Sequence, residues 1–483
     1  MPSQSSYTPF QVREKLYRNF GFMPTPSQSQ LIEALSRFVV SEKPNCLLIV
    51  KGYAGTGKTT MVNTLVRTLG EIGLRHVLLA PTGRAAKVLG NYSQDRAFTI
   101  HKKIYFPNKT KDGRLFLAPA QNLHRNTVFV VDEASMIGWD TYQGALGGNL
   151  LQDLFEYVYN GQNCRLLLIG DGAQLPPVGS AVSPALDLDF LKSHFTLTAA
   201  TCELTDVTRQ KDDSGILALA TDVRFAVSHP KENLLPFENP LKADVQQIDG
   251  LELQDYLEQA FGANGPEGTM LITRSNKRAN MFNNEVRARV FYREEKISSG
   301  DFVMVVKNNY HWLGVESKAG FIANGDVMEI MRMGKRVEKF GFEFVHATVR
   351  MVDYPDEPDV EVVMWLNALD IEAPSMSSSD QNKLYAGTQE EYSHLESRDE
   401  QKKAIRNDPY FNALQIKFAY AVTCHKAQGG QWPVVFVDQG YLTDEMMDTE
   451  YFRWLYTAIT RATDKLYLLN FSENLVSSPG EAE

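Results

Sequence analysis

The 483-residue chain is predicted to be an α/β protein built on two parallel sheets, and three observations carry that expectation. Apolar runs at 46–50, 76–80, 127–132 and 165–171 alternate with stretches at helical spacing, the pattern of a parallel sheet with helices on both faces. The alternation resumes after Arg209, with strands expected at 270–273, 434–438 and 466–470. Between them, 300–369 holds valine-rich and aromatic runs at strand period. Glycine turns at Ala323-Asn324-Gly325-Asp326 and Met333-Gly334-Lys335 punctuate those runs, so a small β-barrel insertion is expected there.

Each segment follows from its local signals. Thr25-Pro26-Ser27-Gln28 introduces Leu31, Ile32, Leu35 and Phe38 at helical spacing, so a helix starts there, whereas residues 1–20 carry few strong signals. Turn signals at Pro107-Asn108 and Lys111-Asp112-Gly113 interrupt the α/β rhythm and predict an inserted hairpin. The expected organisation is therefore a first α/β domain at 1–101 and 126–211, a hairpin at 102–125, and a second α/β domain at 212–300 and 411–472. A barrel with a polar arm fills 301–410, and a disordered tail is expected at 473–483. Residues 353–361 hold five acids and no base and 375–408 is polar throughout, which predicts mobile connections and a helical arm.

A hydrophobic share of 43% and a charged share of 22% are those of an ordinary globular protein, and no apolar run is long enough to cross a bilayer. The polar N-terminus lacks the basic start and apolar stretch of a secretory leader, so a cytoplasmic location is the default expectation. Cys46, Cys164, Cys202 and Cys424 are scattered and signal neither a disulfide framework nor a metal cluster. A net charge of −10 argues against coating nucleic acid by bulk attraction. Locally, 101–126 carries six basic residues against one acid, with Tyr105, Phe106 and Phe116 interleaved, a mixture suited to contacting a strand, although a solvated basic loop has the same charge pattern.

The chemistry is concentrated in a few strings. Gly52-Tyr53-Ala54-Gly55-Thr56-Gly57-Lys58-Thr59 fits G-x-x-x-x-G-K-[ST], with a strand before it and a helix after it. The backbone of Gly52 and of Ala54 to Thr60 would cradle phosphates, Lys58 would reach the β and γ phosphates, and Thr59 would bind Mg²⁺. An apolar strand ending in Asp132-Glu133 supplies a carboxylate for Mg²⁺ and one to orient or deprotonate water. Gln174, in Gly170-Asp171-Gly172-Ala173-Gln174-Leu175-Pro176-Pro177, is held on a rigid loop where an amide could sense a γ-phosphate. Arg209 and Arg461 have the planar permanent charge suited to a transferring phosphoryl group, although an isolated arginine is more often a surface ion pair. Thr423, His425, Lys426 and Gln428 offer donors to a phosphate backbone without reading bases.

These strings occur in one order together with Pro81-Thr82-Gly83-Arg84-Ala85-Ala86-Lys87, Thr99-Ile100-His101 and Tyr456 to Arg461. That order resembles superfamily 1 helicases of the RecD-like and Dda-like branch, over roughly residues 22–470. The resemblance implies two RecA-like domains clasping ATP, with single-stranded DNA moved 5′ to 3′ across their tops, an SH3-like barrel, and a strand-separating pin at 102–125. It implies that Gln28 faces the adenine, Gln30 remaining open, and that Lys58, Thr59, Asp132, Glu133, Gln174, Arg209 and Arg461 serve hydrolysis. Pro81, Thr82, Arg84, Thr99, His101, Thr273, Asn276, Thr423, His425 and Lys426 would touch DNA or couple to it, and Phe106 or Phe116 would stack at the fork. ATP and Mg²⁺ are the implied cofactors, single-stranded and forked DNA the implied partners, and a monomer can supply every part. The competing expectation is a nucleic-acid-stimulated ATPase switch, or a protein-displacing translocase, that does not unwind. A nuclease is disfavoured because no further carboxylate cluster has metal spacing, and a small-molecule kinase by the second domain's motifs.

Overall fold

The computed structural model describes residues 7–109, 115–139, 149–207, 214–229, 242–314, 317, 319–373 and 375–471. The first domain is a six-stranded parallel sheet of β1 (Cys46–Gly52), β2 (Arg75–Ala80), β3 (Ala97–Thr99), β6 (Thr127–Val131), β7 (Arg165–Gly170) and β8 (Thr198–Leu204), ordered β3-β2-β6-β7-β1-β8. Strands β6 and β7 are buried along their whole length, as expected where helices cover both faces of a parallel sheet. Because every strand runs the same way, the C-terminal ends of β1, β2, β3, β6 and β7 share one edge, and every motif of this domain lies there.

An additional helix, Pro9–Phe20, precedes the expected start at Thr25. Thr8 and Gln11 form a capping box, Pro9 opens the first turn, and Val12, Leu16 and Phe20 recur at a four-residue interval on the buried face. The hairpin pairs β4 (Tyr105–Lys109) with β5 (Leu115–Pro119), Tyr105 opposite Pro119 and Lys109 opposite Leu115. It leaves the domain from a short helix, Ile100–Ile104, and its base closes through Ala120 N–H donating to the Ile104 carbonyl at 2.7 Å.

The second parallel sheet orders β16 (Ala421–Thr423), β10 (Thr269–Thr273), β17 (Trp432–Asp438), β18 (Ala462–Leu469) and β9 (Val245–Ile248). The barrel is closed by five strands: β11 (Phe302–Val305), β12 (Val327–Lys339), β13 (Phe342–Met351), β14 (Val360–Trp365) and β15 (Leu414–Phe418). Strand β15 lies inside 411–472, assigned from sequence to the second α/β domain, yet it pairs antiparallel with β11 and parallel with β14. A strand buried along its whole length satisfies either neighbour, and the barrel supplies its two free edges.

The polar arm consists of two helices, Ser378–Glu391 and Arg398–Asn407, the first inserting Leu384 beside Phe342, Phe344 and Trp365 of the barrel. The acidic stretch also departs from a solvated connection: Asp353 is 8% exposed and faces Arg84 and Lys87 of the first domain. Residues 473–483 lie outside the described residues. Among the described residues no helix is long and apolar enough to cross a membrane.

Candidate nucleotide and strand sites between two domains

The phosphate loop joins β1 to helix Lys58–Glu71. Gly57 caps that helix in the left-handed region at φ 89°, and no side chain caps it. A Cβ at Gly57 would stand 2.7 Å from Gln28 Nε2, so a side chain there would have to displace that amide as well as adopt a conformation that favours glycine. A helix start without a side-chain acceptor presents its N–H groups and its dipole to an anion. Gln28 is buried; its Nε2 donates to the Thr56 carbonyl at 3.0 Å while its Oε1 accepts from Thr25 N–H at 3.0 Å. The amide expected at an adenine thus braces the loop from behind, whereas Gln30 is exposed.

Lys58 Nζ donates to the Gly52 carbonyl at 2.6 Å and the Tyr53 carbonyl at 3.0 Å, and lies 3.7 Å from Asp171 Oδ2. Thr59 and Thr60 follow on the first helical turn and are exposed. Asp132 follows the end of β6; Glu133 N–H donates to its Oδ1 at 2.9 Å, and the Tyr92 hydroxyl donates to its Oδ2. Glu133 has φ 52°, a region that a non-glycine residue rarely adopts and that is concentrated at functional sites. Burial raises its carboxyl above the ordinary range, against the pull of Arg461, whose Nη1 is 3.9 Å from Glu133 Oε1. Gln174 is 5% exposed and its Oε1 has no hydrogen-bond partner, a buried acceptor left for something in the cleft.

Magnesium usually takes one or two protein oxygens and completes its shell with water and substrate phosphates. The donor set fits that habit: Thr59 and Asp132 supply a hydroxyl and a carboxylate beside the loop, and no cluster of three metal-ligating side chains occurs among the described residues.

The second domain forms the other wall. Helix Thr449–Ile459 brings Tyr456, whose hydroxyl accepts from Ala54 N–H at 2.8 Å and donates to Asp171 Oδ2 at 2.7 Å. Thr457 Oγ1 accepts from Leu175 N–H at 2.8 Å, and Gln428 Nε2 donates to the Leu175 carbonyl at 2.7 Å. Arg461 is 3% exposed and donates to the Thr457 and Gly430 carbonyls. Arg224, on helix Gly215–Ser228, stacks over the Tyr53 ring at 4.3 Å. Arg209 lies outside the described residues. Tyr92, Arg224 and the Tyr456 hydroxyl were missed as functional groups in the sequence. Tyr456 stands five residues before Arg461 in a quoted string, while Tyr92 and Arg224 carry no pattern of their own.

Thr82, Arg84, Lys426, Gln428 and Trp432 line a second cleft, whose far wall is made by barrel residues including Phe302 and Val352. Thr82 follows Pro81 at the end of β2 and caps helix Gly83–Ser93, accepting from Ala85 N–H at 3.2 Å. Arg84 stacks on Trp432 at 4.7 Å and stands 4.0 Å from Asp353. Burial lowers the Lys426 ammonium below its usual range. Thr423 is half-buried at the end of β16, with His425 exposed two residues on.

Four other side chains expected to touch DNA or couple to it sit at the ends of strands and in the first turns of helices. Thr273 is fully buried and donates to the Ser275 carbonyl, and Thr99 is buried as a helix cap, so both side chains serve turns of the fold. His101 packs beside Tyr105, and burial holds its imidazole down at about 4, hence neutral at physiological pH. Asn276 opens helix Asn276–Glu285, half-buried. On the hairpin Phe106 is 45% exposed, and the side chain of Phe116 lies outside the described residues.

Residues 25–226 match the family model described as AAA domain, and 418–469 match that of the UvrD-like helicase C-terminal domain. The ATP-dependent RecD2 DNA helicase of Deinococcus radiodurans is 34% identical over 175 residues, 36% of this chain and 21% of that one. The ATP-dependent DNA helicase dda of Enterobacteria phage T4 is 31% identical over 179 residues, 36% of this chain and 37% of that one. A solved Pif1 helicase from Bacteroides, in complex with ADP-AlF3 and ssDNA, aligns over 95% of each chain at 14% identity and a TM-score of 0.48. The chain spans well under half the length of the curated relatives it matches first. The family models and relatives agree with the superfamily 1B type expected from the motif order.

Proposed function

Taking the chain as a superfamily 1B protein of the RecD-like and Dda-like type, we propose that it is an ATP-dependent DNA helicase that moves 5′ to 3′ on single-stranded DNA and opens a forked duplex. One observation carries this reading. The turn after β16 serves both clefts: Lys426 lines the second, while Gln428 reaches from it to Leu175, next to Gln174 of the nucleotide site. A change at the γ-phosphate therefore has a short route, through one hydrogen bond between the domains, to a lysine proposed to contact the strand.

In hydrolysis, Glu133 takes a proton from water as the water oxygen bonds to the γ-phosphorus and the bond to the β–γ bridging oxygen breaks. Lys58, Arg461 and Arg209 offset the charge that develops on the phosphoryl oxygens. Mg²⁺, held by Thr59 and Asp132, would supply further charge neutralisation there. Closing and opening of the domains, as nucleotide arrives and product leaves, would move Thr82 and Arg84 relative to Thr423, His425 and Lys426, so that grip alternates along the strand. The hairpin, with Phe106 exposed, would stand at the fork. These contacts address the phosphate backbone, so no base preference is expected, and the cytoplasm is the compartment this work fits.

The test is strand separation of duplexes bearing a 5′ or a 3′ single-stranded tail. Preferential opening of the 5′-tailed fork supports the proposal. ATP hydrolysis stimulated by single strands with neither fork opened would instead support a non-unwinding ATPase.

A further inference from the structure

No motif assigns a role to the hydroxyl that the second domain lays on the phosphate loop. Tyr456 is 1% exposed. Its oxygen accepts from Ala54 N–H, so its own proton is directed to Asp171 Oδ2, at 2.7 Å. That same oxygen is the one 3.7 Å from Lys58 Nζ. Burial, with the Asp171 charge beside it, pushes the phenol well above its usual range and keeps it a donor. One carboxylate oxygen therefore accepts the Tyr456 hydroxyl of one domain and lies in ion-pair range of Lys58 of the other, the lysine expected to hold phosphate.

On the footing of the ATPase reading above, we propose that Tyr456 is a positioning residue that sets how tightly Asp171 holds Lys58. Asp171 is 1% exposed, and an isolated charge at that depth is costly. With the domains closed, the Tyr456 hydroxyl satisfies part of that charge, so that Lys58, which donates to the Gly52 and Tyr53 carbonyls, is held less tightly by Asp171 and can exchange them for a triphosphate. With the second domain swung away the hydroxyl would be gone, leaving the carboxylate to draw on Lys58, whose Nζ stands 3.7 Å from it in this structure. Ala54 N–H ties the conformation of the loop to the same hydroxyl. Domain closure and the availability of Lys58 are thereby one event.

Tyr456→Phe keeps the buried ring and removes only the hydroxyl. Assayed in the full chain with ATP and a single-stranded oligonucleotide, it is expected to raise KM for ATP about tenfold, the scale of one hydrogen bond to a charged group. The kcat should change by less than about threefold, the signature of lost ground-state binding. Adding Asp171→Asn should bring KM back to within about threefold of the parent, because the carboxylate that captures Lys58 is gone. Asp171→Asn alone should lower KM, and this arm carries the test if the phenylalanine variant does not fold.

A Tyr456→Phe KM within about twofold of the parent overturns the proposal. So does a double variant no better than Tyr456→Phe, or an Asp171→Asn enzyme whose KM stays level or rises. The reading beneath it fails separately: a Lys58→Ala chain that hydrolyses ATP like the parent would remove the ATPase itself.

Discussion

Two strand-to-helix junctions at the edges of the parallel sheets, one in each domain, end differently. In the first domain β1 runs into helix Lys58–Glu71 through a left-handed glycine, with no side chain capping the helix. In the second, β10 runs into helix Asn276–Glu285 through Ser275, whose hydroxyl accepts from Arg278 N–H at 3.3 Å. Arg278 in turn is paired with the fully buried Asp438. The first junction leaves its helix start to an anion, whereas the second satisfies it internally. Two sheets of one architecture thus take different parts: one supplies the main-chain cradle, the other reaches across with Tyr456, Thr457 and Arg461.

The strongest way to break this contrast is to remove a charge from the first junction or from the arm that reaches it. Lys58→Ala is expected to reduce ATP hydrolysis at least about 100-fold, measured as steady-state phosphate release, and Arg461→Ala by a similar factor with a much smaller loss of nucleotide binding. An Arg461→Ala enzyme that lost binding and turnover equally would place that guanidinium in the ground state instead.

Gly57→Ala comes next. A methyl group at φ 89° and 2.7 Å from Gln28 Nε2 should destabilise the domain by about 2 kcal/mol and weaken nucleotide binding, read by thermal melting with and without ATP. Unchanged melting would show that the loop relaxes without strain.

A smaller effect tests Glu133. Its carboxyl is raised by burial, so the base required for hydrolysis protonates at a higher pH than an ordinary glutamate, and the acid limb of kcat should fall above the usual glutamate value of 4.5. Arg461 opposes the rise, so Arg461→Gln should move that limb to still higher pH. An acid limb at or below 4.5 would assign the proton transfer elsewhere.

The smallest change is Ser275→Ala at the internally satisfied junction. It should lower stability by about 1 kcal/mol in a denaturation experiment while leaving KM for ATP unchanged. A large rise in KM there would erase the distinction between the junctions.

Most of the nucleotide cleft was legible in the chain because its parts are local. A phosphate loop is a continuous string whose strand, glycines and lysine must adjoin, and Asp132-Glu133 reads as the end of an apolar strand. The helix at 9–20 has a local signal too, Thr8 and Gln11 around Pro9, but one capping box is weaker than a continuous motif. Strand β15 was not legible in the same way. Leu414–Phe418 reads as a buried strand, but whether it pairs with β10 or with β11 and β14 depends on edges supplied by distant segments, around Val303 and Met364. Thr273 and Thr99, expected to touch DNA or couple to it, have buried side chains that hydrogen-bond within the turns they close, a pairing that only the folded turn reveals.

The sequence by itself determined the elements and their chemistry: two parallel sheets, an inserted hairpin and barrel, a phosphate loop and a pair of carboxylates, since periodicity and turn chemistry act over a few residues. Only the tertiary structure decided which groups meet. Tyr456 and Ala54 are 402 positions apart, and Tyr456 and Asp171 are 285 apart. A single hydroxyl has no periodicity to announce its partner. Its place on the loop follows from how two domains pack, where each hydrogen bond contributes about 1 kcal/mol and the buried faces around it supply the rest.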